Sequence, residues 1–66
     1  MSIYCVKAKK VGTKRWAFLT SEGGTNHLRI HAAQILTKER AEQIAGEIAQ
    51  ENAGTWEAKV EVLYVY

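Results

Sequence analysis

The sequence predicts one α+β domain, spanning residues 1–66, in which a single helix packs on one face of an antiparallel β-sheet in the order ββ(β)αβ. Three observations support this fold class. Segments of alternating apolar and polar residues occupy both ends of the chain, one segment has apolar residues at helical spacing, and glycine-containing turns separate them. A chain of 66 residues buries only about 60% of the surface that it exposes when unfolded, which excludes a two-lobed enzyme.

Two strands are expected in the first third of the chain. In residues 3–9, Tyr4, Val6 and Ala8 form the more apolar face, which we assign to the core, and the opposite face ends in lysines. A turn follows, and residues 14–20 form the second strand. Both faces of this second strand carry apolar side chains, so the pattern leaves open which face is buried.

A third, short strand is expected at residues 27–33, after a glycine-containing loop. His27 and His31 would then stand about 13 Å apart, too far to share one metal ion, so no metal site is expected. The loop itself lacks the glycine and lysine spacing of a phosphate-binding loop.

The helix is expected at residues 38–52. Thr37 is a suitable N-cap, because its hydroxyl can accept a hydrogen bond from an N–H of the first turn, and Gly54 fits beyond the C-terminus. The apolar stripe of the helix consists of Ala41, Ile44, Ala45, Ile48 and Ala49. Residues 55–66 then form a long final strand.

One helix cannot cover both faces of a sheet, and the uncovered face is expected to be partly apolar. We assign Ile3, Leu63 and Val65 to this face as the apolar part of an interface. Either a second copy, giving a homodimer, or another protein would cover it, and the alternative is a monomer.

Basic residues are concentrated in the first part of the chain. Residues 1–37 hold six Lys and Arg against Glu22 alone, whereas residues 38–66 hold three against six glutamates. Such a basic region favours an acidic or polyanionic partner, DNA or RNA included, and Trp16 could stack on an unpaired base. The candidate binding residues are Lys7, Lys9, Lys10, Lys14, Arg15, Arg29 and His31.

Enzymatic activity is not expected. The chain has no aspartate for a Ser-His-Asp triad, and neither catalytic residues nor a cofactor can be assigned. Cys5 would be a nucleophile only with a lowered pKa, for which Lys7 is a candidate cause; the alternative is a small apolar residue. One cysteine, no secretory signal and no apolar run of membrane-spanning length indicate the cytoplasm.

Residues 14–51 resemble the arm-binding, AP2-like N-terminal domains of phage tyrosine integrases, in which a tryptophan-bearing sheet enters DNA. Trp16, Thr37, Lys38 and Ala41 match that pattern. Leu36 stands where those domains usually have phenylalanine, the final strand is additional, and no catalytic domain follows. The whole chain resembles, more loosely, small accessory proteins of phages and mobile elements, anti-CRISPR inhibitors among them.

Two functions are therefore expected. In the first, a non-catalytic phage-type protein modulates or inhibits a host protein or nucleoprotein complex through the basic and apolar sheet face. In the second, the basic hairpin binds DNA or RNA directly. The acidic helix face with Glu39, Glu42 and Glu51 is an alternative working surface.

Overall fold

A computed structural model describes all 66 residues and confirms the α+β fold, with one helix on a four-stranded antiparallel sheet. The strands lie in the order β3-β2-β1-β4. The elements are β1 (Ser2–Lys10), β2 (Ala17–Leu19), β3 (Thr25–Asn26), a 3-10 helix (Arg29–His31), α1 (Lys38–Glu51) and β4 (Trp56–Val65). No helix combines the length and the apolar character needed to cross a membrane.

The two long strands, β1 and β4, form the centre of the fold. Val6 pairs with Val60 and Ala8 pairs with Ala58, and residues opposite each other across an antiparallel pair share a face. This face carries α1. Ala17 pairs with Ala8, so the buried face of β2, which the sequence left open, is the one that bears Ala17.

The helix begins as the sequence predicts. The Thr37 hydroxyl accepts a hydrogen bond from the Arg40 N–H at 3.2 Å, and the chain leaves the helix through Gly54, which has a positive φ of 80°. Ala41 is the one fully buried residue of α1, and it packs against Val6 and Ile35. A small side chain at this position lets the helix lie close to the sheet.

The predicted third strand at residues 27–33 is wrong. The strand β3 is only Thr25–Asn26, and the Asn26 side chain then accepts a hydrogen bond from the Leu28 N–H at 2.8 Å. This local bond turns the chain out of the sheet and into the 3-10 helix. Residues 27–36, which we call the crossover segment, return to the sheet through the bridges Thr20–Ala32 and Tyr4–Ile35.

A β-bulge in β4 changes the expected pattern at the end of the chain. Tyr4 pairs with Val62 but Ile3 pairs with Tyr64, so Leu63 is an extra residue. Leu63 lies on the outer face, the face of the sheet away from α1, as expected. It is nevertheless only 3% exposed, because Ala32 of the crossover segment covers it.

The expectation that Leu63 and Val65 are open apolar interface residues is therefore corrected. Leu63 belongs to a buried cluster with Cys5 and Ala32, against which Ile3 and Phe18 pack. Val65 is 76% exposed, but its pairing with Ser2 places it on the helix side of the sheet.

The buried position of Leu63 predicts a stability effect. Leu63→Ala should lower the free energy of unfolding by about 2–5 kcal/mol, whereas the matched truncation Val65→Ala should change it by less than about 0.5 kcal/mol. Urea denaturation followed by tryptophan fluorescence measures both. If Leu63→Ala does not fold, Leu63→Val, which removes less of the side chain, should lower the free energy of unfolding by a smaller, measurable amount. Equal effects at positions 63 and 65 would contradict the assignment.

Candidate binding face

The outer face has a strip of cationic and aromatic side chains beside the buried Leu63 cluster. Lys7 pairs with Phe18 of β2 on one side and with Lys59 of β4 on the other, so the three side chains lie on one face. Lys9 follows two residues after Lys7 on the same face, and Trp16 lies just before β2.

Each aromatic ring in this strip has a cation over it. The Lys59 ammonium lies 4.5 Å from the centre of the Trp16 ring, and the Lys9 ammonium lies 5.2 Å from it. The Lys7 ammonium lies 4.8 Å from the Phe18 ring. These distances are within the range of cation–π attraction. We refer to Lys7, Lys9, Trp16, Phe18 and Lys59 as the cation–aromatic cluster.

Two glutamates of β4 neutralise part of this charge. Glu57 accepts from Lys9 at 2.7 Å, and Glu61 accepts from Lys7 at 2.8 Å and from Lys59 at 3.2 Å. These ion pairs are partly exposed, and pairs at the surface contribute roughly 0–1 kcal/mol each. They hold the lysine side chains in place over the sheet, and Lys59, at 43% exposed, is the most accessible of the three to another anion.

Among the acidic side chains, Glu61 is the one whose pKa is clearly shifted by its neighbours. The hydrogen bond from Lys7 lowers the pKa of its carboxyl below the ordinary value of 4.5, and the second hydrogen bond, from Lys59, acts in the same direction. Partial burial opposes this shift. The carboxylate is therefore ionised at neutral pH, as its role between two lysines requires.

A group of unpaired cations lies around the end of the sheet that the strip reaches. Lys10, Lys14 and Arg15 are exposed at the turn between β1 and β2 and none of them forms an ion pair. We refer to them as the hairpin cations. Arg15 precedes Trp16 in the chain, but it lines a shallow cavity with Lys10, Ala17 and Trp56, so its charge lies around the end of the sheet and not beside the Trp16 ring on the outer face.

The other two predicted cationic residues lie elsewhere. Arg29 is on the 3-10 helix, where its guanidinium donates to the Leu63 carbonyl and lies 5.3 Å from the Tyr64 ring. This contact fastens the crossover segment to the bulge. His31 lines a shallow cavity beside Glu22 and is not part of the basic strip.

Cys5 is a buried apolar residue and not an activated thiol. It is 1% exposed, and burial raises the pKa of its thiol, with the charge of Glu61 acting in the same direction. Lys7 lowers the pKa as expected, but the effect of burial is larger. No three His, Cys or Glu side chains lie together in a way that could hold a metal ion.

Sequence reasoning did not include Lys59, Glu57 and Glu61 among the candidate site residues. Their alternation along the last strand placed them on the outer face, but only the β1–β4 register shows which lysine meets which glutamate. The contact of Arg29 with Tyr64 had no sequence signal, because it depends on the bulge.

Comparison of the chain with protein-family models, with curated proteins and with solved structures finds no match. The resemblances to integrase arm-binding domains and to phage accessory proteins therefore stay predictions from short motifs.

The lowered pKa of Glu61 predicts how stability depends on pH. The Glu61 carboxyl binds a proton less tightly in the native state than in the unfolded state. The stabilisation that its contacts with Lys7 and Lys59 give the fold is therefore complete above pH 4.5 and is lost as the pH falls through the lowered native pKa. Glu61→Gln should remove about 1 kcal/mol or less near pH 7 and less still near pH 3. Urea denaturation at several pH values measures this difference.

Glu22→Gln is the matched control, because Glu22 lies in an exposed loop and forms no ion pair. The free energy of unfolding of Glu22→Gln should change with pH in the same way as that of the unmodified protein. An unchanged pH dependence for Glu61→Gln would contradict the assigned interaction with Lys7 and Lys59.

Proposed function

We propose that this chain is a non-catalytic binding protein that holds single-stranded nucleic acid on the cation–aromatic cluster. The observation that carries the proposal is the position of Trp16, which lies under Lys9 and Lys59 at the end of the sheet where the hairpin cations are exposed. Proteins that bind single strands combine aromatic rings, on which bases stack, with a basic surface that follows the phosphates.

The two parts of this surface supply the two kinds of contact. The Trp16 ring is half-buried beneath the Lys9 and Lys59 ammonium groups, so an unpaired base stacks on it once a lysine has moved from the ring to a phosphate. Lys59, whose side chain is 43% exposed, can make this exchange at small cost, whereas Lys9 is held by both Glu57 and the Thr13 carbonyl. Lys14 and Arg15, which have no carboxylate partner, supply charge for phosphates farther along the strand, around the end of the sheet.

A single strand fits the surface better than a duplex. Stacking on Trp16 requires an unpaired base. The one helix that could enter a groove, α1, carries on its exposed surface Glu39, Glu42, Glu47 and Glu51, which repel phosphates. The proposal also implies a cytoplasmic location, where a bacterial host contains such strands.

A second candidate is the modulation or inhibition of a host protein or nucleoprotein complex, as the resemblance to phage accessory proteins implies. The observation that favours it is the exposure of two neighbouring large apolar side chains near the start of the crossover segment, Leu28 (59%) and Ile30 (83%). They replace Leu63 as apolar anchors, because Leu63 is buried. A complex that survives nuclease treatment and is lost in Leu28→Ser/Ile30→Ser would support this candidate.

The first proposal predicts a specific salt effect. Lys14→Glu/Arg15→Glu should weaken binding to labelled single-stranded DNA or RNA at least about tenfold, and removal of two phosphate contacts should reduce the slope of log affinity against log salt by about 1.4. Fluorescence anisotropy at several salt concentrations measures both quantities. Trp16→Ala should lower the affinity by about 1–3 kcal/mol with the slope unchanged.

Lys38→Glu/Arg40→Glu is the matched control, because it changes the net charge by the same amount on α1. It should leave affinity and slope nearly unchanged. Absence of binding at low salt, or an equal loss in this control, would overturn the proposal. Preference for duplex over single-stranded DNA would contradict the stacking role of Trp16.

A further inference from the structure

We propose that the free edge of β4 pairs with the same edge of a second copy of this chain, giving an antiparallel homodimer with its two-fold axis at Val60. In the sheet, β4 is an outermost strand and pairs only with β1. It is ten residues long and contains no proline. Such an edge presents a row of backbone N–H and C=O groups that another strand can bind.

The β1–β4 register shows which backbone groups point to the free edge. Tyr4 exchanges two backbone hydrogen bonds with Ile35, at 2.8 and 2.9 Å, so its N–H and C=O point away from β4. Tyr4 and Val62 are therefore a pair without mutual hydrogen bonds, and such pairs alternate along an antiparallel ladder. The β4 residues whose backbone groups point outward are Ala58, Val60 and Val62, and Trp56 is in the same phase but its N–H already donates to the Asn52 carbonyl at 3.0 Å.

Side-chain charges on this edge are complementary to themselves when the axis lies at Val60. With the axis at Val60, Lys59 stands opposite Glu61 of the second copy, and Glu61 stands opposite Lys59 of the second copy. On the helix side of the sheet, Val62 stands opposite Ala58. This pairing covers Val62, whose side chain is 51% exposed in the single chain.

The neighbouring registers are less favourable. An axis at Lys59 places Lys59 opposite its own copy and Glu57 opposite Glu61, and like charges in these positions repel. An axis at Ala58 also places Lys59 opposite a glutamate, Glu57 of the second copy, but it places Val62 opposite Gly54, which precedes the strand, and so leaves Val62 uncovered. The charge pattern therefore disfavours the axis at Lys59, and the apolar stripe favours Val60 over Ala58.

The helix contributes opposite charges beside the same axis. Lys38 and Glu42, whose charged groups lie 4.0 Å apart, line a shallow cavity together with Val60 and Val62. Because the axis reverses the order of the two residues in the second copy, Lys38 is brought towards Glu42 of that copy. The bulge at Leu63 bends the strand just beyond the paired residues and ends the ladder there.

The dimer joins two outer faces into one continuous surface with a cation–aromatic cluster on each half. A longer single strand could then bind both clusters. This consequence rests on the proposed function, whereas the dimer itself is tested in the absence of nucleic acid.

The test combines sedimentation with thiol cross-linking. The unmodified chain should sediment as a dimer and Val62→Lys as a monomer. Val65→Lys, at an exposed residue beyond the ladder, should leave the dimer intact. Lys59→Cys mixed with Glu61→Cys should form a disulfide-linked dimer several-fold faster than either variant alone, because only the mixture places two thiols opposite each other. The native Cys5 is buried and gives little background.

Three results would overturn the proposal. The unmodified chain could remain a monomer up to about 1 mM, the upper end of weak association. Lys59→Cys could cross-link to itself as fast as the mixture, which would place the axis at residue 59. A dimer that Val62→Lys leaves intact would lie on another surface. None of these results bears on nucleic-acid binding by the single chain.

Discussion

The structure depends on one constraint: its single helix covers only one face of a two-faced sheet. The stripe of α1 is built from alanine and isoleucine, and Ala41 alone is fully buried, so the helix-side core is small. The outer face must therefore be completed by other means. At one end the crossover segment lies over Leu63 and Cys5, and at the other end lysines lie over aromatic rings.

These two ways of covering the outer face have different energetic consequences. The Leu63 cluster is buried and stabilises the fold, and Arg29 fastens the crossover segment to it through the Leu63 carbonyl. The lysine contacts with Glu57, Glu61 and the aromatic rings are partly exposed, so each contributes less, and those of Lys59, the most exposed of the three lysines, are the easiest to exchange for contacts with a ligand. We therefore propose binding at the end of the sheet that we expect to be less important for stability.

Sequence patterns predicted the elements with strong periodicity and missed those that depend on register. The spacing from Ala41 onward, with Thr37 before it, gave the helix, and alternation gave β1 and β4 to within one residue. The third strand was wrong because the Asn26 side chain diverts the chain, an effect that alternation does not reveal. The basic strip was largely predictable, but the bulge at Leu63 and the glutamate partner of each lysine follow from the β1–β4 pairing.

The most direct test is an NMR titration of the isotope-labelled protein with a short single-stranded oligonucleotide. The central claim is that the outer face has a structural end and a binding end. It predicts shifts of the Trp16 indole and of residues around Lys9, Arg15 and Lys59, with little change at Leu63. Shifts confined to α1 or to the Leu63 cluster, with the Trp16 signal unmoved, would contradict the account.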